Sequence, residues 1–283
     1  MKILVVGGSG FIGRSFEEQA KKKGLEIVSV GSQEINLIEP HSTLQLKEKL
    51  RDCDALVFLS ALTPKKGLTA VENMVRFMDN LRMAENVYKA LAASQVNYVL
   101  YVSSDSVYSP EESEIDELSK TDPDSLYGLA HKIRERLLSE ICQAKGFCIL
   151  RPCALYGLED PHNGYGPNRF VREAIERKTI TLFGEGEELR HHLSVKDLAE
   201  IMCHMLKHRK TGVYNVASEE PVSFLEVAKV IQAKFPFQIK INFVPRAVSI
   251  QHKTHNLTKL KKEMPEFRFT DLKTGIELLS KSF

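Results

Sequence analysis

Tyr127 and His131 stand four residues apart in the stretch YGLAHKIRERL, residues 127–137. In a helix that spacing is one turn on one face, and Lys132, five residues on, points elsewhere. A phenol beside a basic group can pass a proton to and from a substrate oxygen, provided its pKa falls from near 10 toward the working pH. A second stretch with chemical content is GGSGFIG, residues 7–13, with Gly7, Gly10 and Gly13 spaced G-x-x-G-x-x-G. Such glycines let the backbone turn tightly against a pyrophosphate. The helix that follows offers its free N–H groups and positive dipole end. A third candidate, His204 and His208 with Cys203 beside them, has a spacing that can hold zinc. It lacks H-E-x-x-H and any further ligand nearby in sequence, so no metal is expected.

The elements that must carry these residues are legible as patterns. Five short apolar runs, 2–6, 26–30, 55–59, 98–103 and 147–152, alternate with helical patterns at 14–23, 42–51, 72–93 and 125–145. Runs apolar almost throughout suit strands buried on both faces, and the alternation predicts a doubly wound parallel α/β sheet. After Arg151 the pattern changes. A Gly/Pro-rich loop at 156–168 is followed by helices near 169–178, 196–208, 222–235 and 270–281 and by strands TITLF and KINFV. The expected organisation is a dinucleotide-binding domain over 1–155, with 195–217 returning to it. A smaller C-terminal substrate lobe takes 156–194 and 218–283.

Composition narrows the partners. The chain has 283 residues, a net charge of +2 and 43% hydrophobic residues, enough apolar content for a sizeable core and too little charge for nucleic acid as the main partner. After Gln238 nine Lys/Arg face four Asp/Glu, read as a solvated basic face. Five scattered cysteines, with no C-x-x-C pair, suit reduced thiols and a cytoplasmic location. No apolar run is long enough for a signal segment or a membrane span.

Together these motifs resemble the extended short-chain dehydrogenase/reductase superfamily, the group of nucleotide-sugar epimerases, dehydratases and reductases. The resemblance runs through GGSGFIG, LSALTP (59–64), Asn80 in RFMDNLRMAENV, YVSSDSVY (101–108), YGLAH, LRPCALYG (150–157) and LFGEGEELRHHLSVKDLA (182–199). It implies an enzyme with a Tyr-based proton transfer and hydride exchange with nicotinamide. The catalytic residues would be Ser104, Tyr127 and, where the family has lysine, His131. Cofactor contacts would come from Gly7, Gly10, Phe11, Ile12, Gly13, Gly31, Ser32, Ser60, Ala61, Asn80, Tyr127, His131 and Pro152. Ser104, Asp105, Asn168 and Arg190 would meet a nucleotide-sugar substrate, Arg190 through the G-x-G-x-x-x-R signature.

Three features are specific to this chain. The second strand ends in Gly31 and Ser32 where an acid would hold the adenosine ribose. That tilts the expected cofactor, NAD or NADP, toward NADP, with Arg14 in support and Glu34 as counter-candidate. Asp105 is followed by Ser106 where a dehydratase would carry glutamate, which favours epimerisation or carbonyl reduction. His131 leaves three readings: it replaces the lysine, or the fold is a non-catalytic NAD(P)-binding or regulatory protein, or Lys132 reaches in instead. On the first, His131→Lys should raise turnover. Apolar residues on 72–93 (Met74, Phe77, Met78, Leu81) and 125–145 (Ile133, Leu137, Ile141) suggest a homodimer.

Overall fold

A computed structural model describes residues 1–247 and 249–281. From the N-terminus, β1 (Lys2–Val6), α1 (Phe11–Lys22), β2 (Glu26–Val30), α2 (Ser42–Leu50), β3 (Ala55–Phe58), α3 (Ala70–Ala92) and β4 (Tyr98–Val102) alternate strictly. A single 3-10 turn (Asp105–Val107) and the short β5 (Glu114–Ile115) precede α4 (Leu126–Ile141) and β6 (Gly146–Pro152). Then come β7 (Leu155–Tyr156), α5 (Pro167–Arg177), β8 (Thr179–Phe183), β9 (Leu189–Arg190), β10 (Leu193–Ser194), α6 (Val195–Lys207) and β11 (Gly212–Val216). The chain closes with β12 (Val222–Ser223), α7 (Phe224–Lys234), β13 (Lys240–Val244), β14 (Thr254–His255), α8 (Thr258–Glu263) and α9 (Leu272–Ser280).

Two compact units result. The first holds residues 1–109, 120–152 and 198–214. Its six-stranded sheet has the order β11-β6-β4-β3-β1-β2, and β1 pairs in parallel with both β2 and β3, as β4 does with β3 and β6. The strands are apolar because helices cover both faces: Ile3, Leu4, Val5, Val57, Phe58, Val99 and Leu100 are sealed from solvent. The chain leaves β1 for β2 on one side and comes back to β3 on the other. That reversal, outside the carboxyl ends of β1 and β3, is the usual place for a ligand in such sheets.

The second unit holds residues 110–119, 153–197 and 215 onward. Segment 110–119 belongs to it because β5 pairs with β14, Glu114 opposite Thr254 and Ile115 opposite His255. Its core gathers Phe170, Val171 and Ala174 of α5, Ile180 and Leu182 of β8, Val227 and Ile231 of α7 and Ile276 and Leu279 of α9. The β8–β13 pair is parallel, Ile180 opposite Ile241.

The expected elements form, with shifted ends. Helix α1 begins at Phe11, three residues earlier than the apolar periodicity suggests, because Gly10 itself is its N-cap. Helix α4 stops at Ile141, four residues short of 145, where Cys142 leaves helical geometry. Strand β11, helix α8 and the two-residue pairings β5–β14, β7–β10 and β9–β12 carry too few residues or too little periodicity to announce themselves.

Candidate functional site

Ser104 and Tyr127 are brought together by local sequence. Ser104 follows β4 and caps the 3-10 turn, its Oγ accepting the Ser106 N–H at 3.1 Å. Ser125 caps α4 in the same way, accepting from the Gly128 N–H at 3.1 Å. Gly128 then lets the first turn of α4 lie directly on the serine turn, because a Cβ there would fall 2.0 Å from the Ser106 carbonyl oxygen. The neighbouring Tyr127 is thereby set close enough to Ser104 for the serine to favour its ionised form. Burial pushes the Tyr127 phenol up to about 12, Arg134 pulls it down, Asp105 pushes it up and Ser104 pulls it down.

His131 lies one turn on, buried, its ring edge-on to Tyr127 with centroids 4.6 Å apart. Its Nδ1 is 2.6 Å from the Tyr101 hydroxyl, and its Nε2 is buried without a partner. With Tyr101 donating, Nε2 carries the ring proton. Burial, then the charge of Arg134, hold His131 well below the ordinary histidine range. Both effects favour the neutral imidazole over the charged one. Lys132 turns away and donates to the Thr121 carbonyl, so it does not reach Tyr127.

The residue that sequence reasoning missed is Arg134. It occupies i+7 from Tyr127 and i+3 from His131, the same stripe of α4, and that spacing was the available signal. It is 0% exposed. One face of the guanidinium lies 4.7 Å over the Phe58 ring, and Nη2 donates to the Ser60 carbonyl at 2.8 Å. Beside it, Glu135 is held by the fork of Arg151, Nε to Oε1 at 3.0 Å and Nη2 to Oε2 at 2.6 Å. Arg151 Nη1 also donates to the Tyr108 hydroxyl at 2.9 Å, so one buried network ties β6, α4 and the turn after β4.

The glycine loop turns too tightly on the protein's own backbone to take side chains. Gly7 has φ +93°, and a Cβ on it would lie 2.7 Å from the Ser60 backbone nitrogen; one on Gly13 would lie 2.3 Å from the Gly8 carbonyl. No side chain caps α1 and its first turn carries no acid, which leaves helix N–H groups and Phe11, Ile12 and Gly13 facing an anion. Gly31 and Ser32 follow the end of β2. However, Glu34 folds back, accepting the Gly31 N–H at 3.0 Å, and the Arg14 guanidinium binds the Ser9 carbonyl. Ser60 and Ala61 follow β3, and Pro152 ends β6. Asn80 spends its amide on Leu62, accepting its N–H and donating to its carbonyl, both at 3.0 Å. It shapes the segment after β3 through the backbone.

In the second unit, Asn168 makes the same clamp on Gly157, accepting from its N–H at 3.0 Å and donating to its carbonyl at 2.7 Å. Arg190 is paired with Glu188 and donates to the Gln251 carbonyl. Glu188 also binds Arg246 at 2.6 Å, so an anion arriving at Arg190 has to compete with a carboxylate. Among the described residues no three His, Cys, Asp or Glu side chains cluster as a metal site. No described helix is long and apolar enough to cross a membrane.

A parallel sheet with a glycine loop at its switch point and a Ser–Tyr pair at the end of β4 defines a Rossmann-type dinucleotide protein. The family model for the NAD dependent epimerase/dehydratase family matches residues 3–217, and the chain belongs to that family. It is 26% identical to a UDP-N-acetyl-alpha-D-glucosaminuronate decarboxylase of Bacillus cytotoxicus, over 94% of this chain and 92% of the relative. It is 25% identical to a dTDP-4-dehydro-6-deoxy-D-allose reductase of Streptomyces bikiniensis, over 99% and 95%. Among solved structures, the UDP-N-acetylglucosamine 4-epimerase of Bacillus cereus superposes with a TM-score of 0.82 at 25% identity, covering 99% of this chain and 96% of that one.

Proposed function

We propose that the protein is an NAD(P)-dependent enzyme acting on a nucleotide-activated sugar, by epimerisation or carbonyl reduction, with Tyr127 moving the proton. The observation that carries the reading is the first turn of α4, with Tyr127, laid on the Ser104 turn through Gly128 in the unit that also holds the glycine loop. The relatives named above, which act on UDP- and dTDP-linked sugars, support the substrate class. The bound cofactor supplies a hydride acceptor or donor. Ser104 hydrogen-bonds the reacting sugar oxygen and fixes its position. Tyr127, as phenolate, takes the proton from that oxygen as the carbonyl forms, and returns it in the reverse direction. His131, whose Nε2 has no partner, would stand where the family's lysine holds the nicotinamide ribose. Asp105 followed by Ser106 lacks the second carboxylic acid that argues for 4,6-dehydration. The second unit, through its G-x-G-x-x-x-R segment, is the proposed substrate lobe.

On the cofactor, the Gly31–Ser32 turn favours NADP and the Glu34 carboxylate opposes a 2′-phosphate. Glu34 is the feature fixed against the strand end, so the reading here is NAD. Tyr127→Phe tests the whole proposal. It should abolish turnover, a loss of about a thousandfold or more, while calorimetry still registers NAD and a UDP- or dTDP-linked sugar. Turnover surviving in that variant removes the phenol from the chemistry. Failure of the wild type to bind either nucleotide removes the enzyme reading. Tighter NADP than NAD returns the choice to Arg14.

We infer in addition a homodimer through α3 and α4. On α3, Val71, Met74, Val75 and Met78 recur at helical spacing and are exposed, by 73%, 50%, 50% and 40%, an apolar stripe that a second copy would cover. Met74→Glu with Met78→Glu should convert a dimer to a monomer in light scattering without lowering the melting temperature of the monomer. A wild type that is monomeric at high concentration sinks the inference.

A further inference from the structure

We propose that Arg134, not His131, is the cation that favours the phenolate of Tyr127, as a positioning residue in place of the family's lysine. The inference rests on Tyr127 being the proton carrier.

The first observation is an uncompensated charge. Arg134 is fully buried, yet its guanidinium makes one hydrogen bond to a neutral carbonyl, that of Ser60, and a long contact of 3.8 Å to Met83 Sδ. Its Nε and Nη1 have no partner. The adjacent carboxylate, Glu135, is committed to Arg151. Burying a cation without an anion costs several kcal/mol. The faces of Phe58 at 4.7 Å and Tyr101 at 6.0 Å offset only part of that cost. Such an arrangement is sensible where a negative charge arrives during the working cycle.

The second observation is where that charge would arrive. Arg134 lies over the Tyr101 ring, Tyr101 bonds His131 at 2.6 Å, and His131 packs edge-on against Tyr127. The three α4 residues share one stripe, and a contiguous run of packed rings joins guanidinium to phenol. The groups facing Tyr127 are Ser104 and Asp105 from the turn after β4, and His131 and Arg134 from its own helix. Of these His131 is neutral, Asp105 is negative and opposes the phenolate, and Ser104 carries no charge. Arg134 is the one cation, and it is the strongest influence favouring ionisation of Tyr127.

The test reads Tyr127 directly. Fluorotyrosine, whose phenol is more acidic, is incorporated throughout, and the Tyr127 signal is assigned in fluorine NMR by its loss in Tyr127→Phe. Arg134→Met should shift that residue's ionisation upward by at least about one pH unit. The rise of turnover with pH should move by the same interval, with activity at neutral pH down about tenfold or more. Because an unpaired buried charge is removed, the melting temperature should stay or rise. Arg134→Lys should keep both profiles near those of wild type. Unchanged Tyr127 ionisation in Arg134→Met overturns the proposal. So does an Arg134→Lys protein that titrates like the methionine variant; this second comparison decides the matter if Arg134→Met does not fold. Survival of turnover in Tyr127→Phe would instead defeat the catalytic reading of the phenol and leave the measured Arg134–Tyr127 coupling standing.

Discussion

Replacing Glu135 with alanine should cost the fold about 3–5 kcal/mol, read as a lowered midpoint in urea unfolding with an unchanged slope. The reason is what stays behind. Arg151 is buried, and its guanidinium is satisfied on one side by both Glu135 oxygens and on the other by the Tyr108 hydroxyl. Remove the carboxylate and a guanidinium is left in the interior, held by one neutral oxygen and the Tyr108 ring at 4.9 Å. Arg151 cannot escape by deprotonating, because the pair raises its pKa above an already high value. Glu135→Ala with Arg151→Met should recover most of the loss, since apolar pairs often replace buried ion pairs at little cost. The loss should reach the site as well. Arg151 joins Tyr108, four residues past Ser104, to the helix that carries Tyr127. A penalty below about 1 kcal/mol in the single variant would mean that the network is far wetter than its distances imply.

How much of this was legible in the sequence depends on whether a feature is local. The strands of the sheet and the glycine loop announce themselves because burial on both faces demands uninterrupted apolar runs and a phosphate turn demands glycine. The family follows from motifs in order along the chain. Helix starts were misjudged by three residues at α1 because Gly10, the N-cap, belongs to the motif rather than to the apolar periodicity. Asn80 and Asn168 were legible as special but not in what they do. Each spends its whole amide on the backbone of one distant residue, Leu62 and Gly157, and sequence spacing carries no sign of such pairings. Arg190 matched a signature, yet the preceding Glu188 competes for it, a conflict visible in the sequence as GEGEELR. Arg134 was hidden by an ordinary prior, since arginines on helices usually face water. The i, i+4, i+7 spacing from Tyr127 through His131 marked it, but only burial gave that spacing meaning.

His131→Lys is the change that the motif alone recommends, and on the motif alone it should raise turnover. The surroundings of Arg134 reverse that expectation. Position 131 is 2% exposed, and its imidazole is already kept neutral, by burial first and by Arg134 second. A lysine there would add a second buried cation one turn from an uncompensated guanidinium, with Glu135 unable to serve both. The single variant should lose about 3–5 kcal/mol of stability, or escape by releasing the lysine proton and so lose the charge it was meant to bring. Either way turnover should not rise. His131→Lys combined with Arg134→Met leaves one cation facing Tyr127. That pair should regain stability to within about 1 kcal/mol of wild type, and its turnover should exceed that of either single variant. Thermal unfolding and steady-state rates on the four proteins complete a double-mutant cycle whose coupling term is strongly favourable if the two positions compete to supply one charge. Additive effects, or a single His131→Lys protein that is both stable and faster than wild type, would show that Arg134 does not occupy the lysine's electrostatic place.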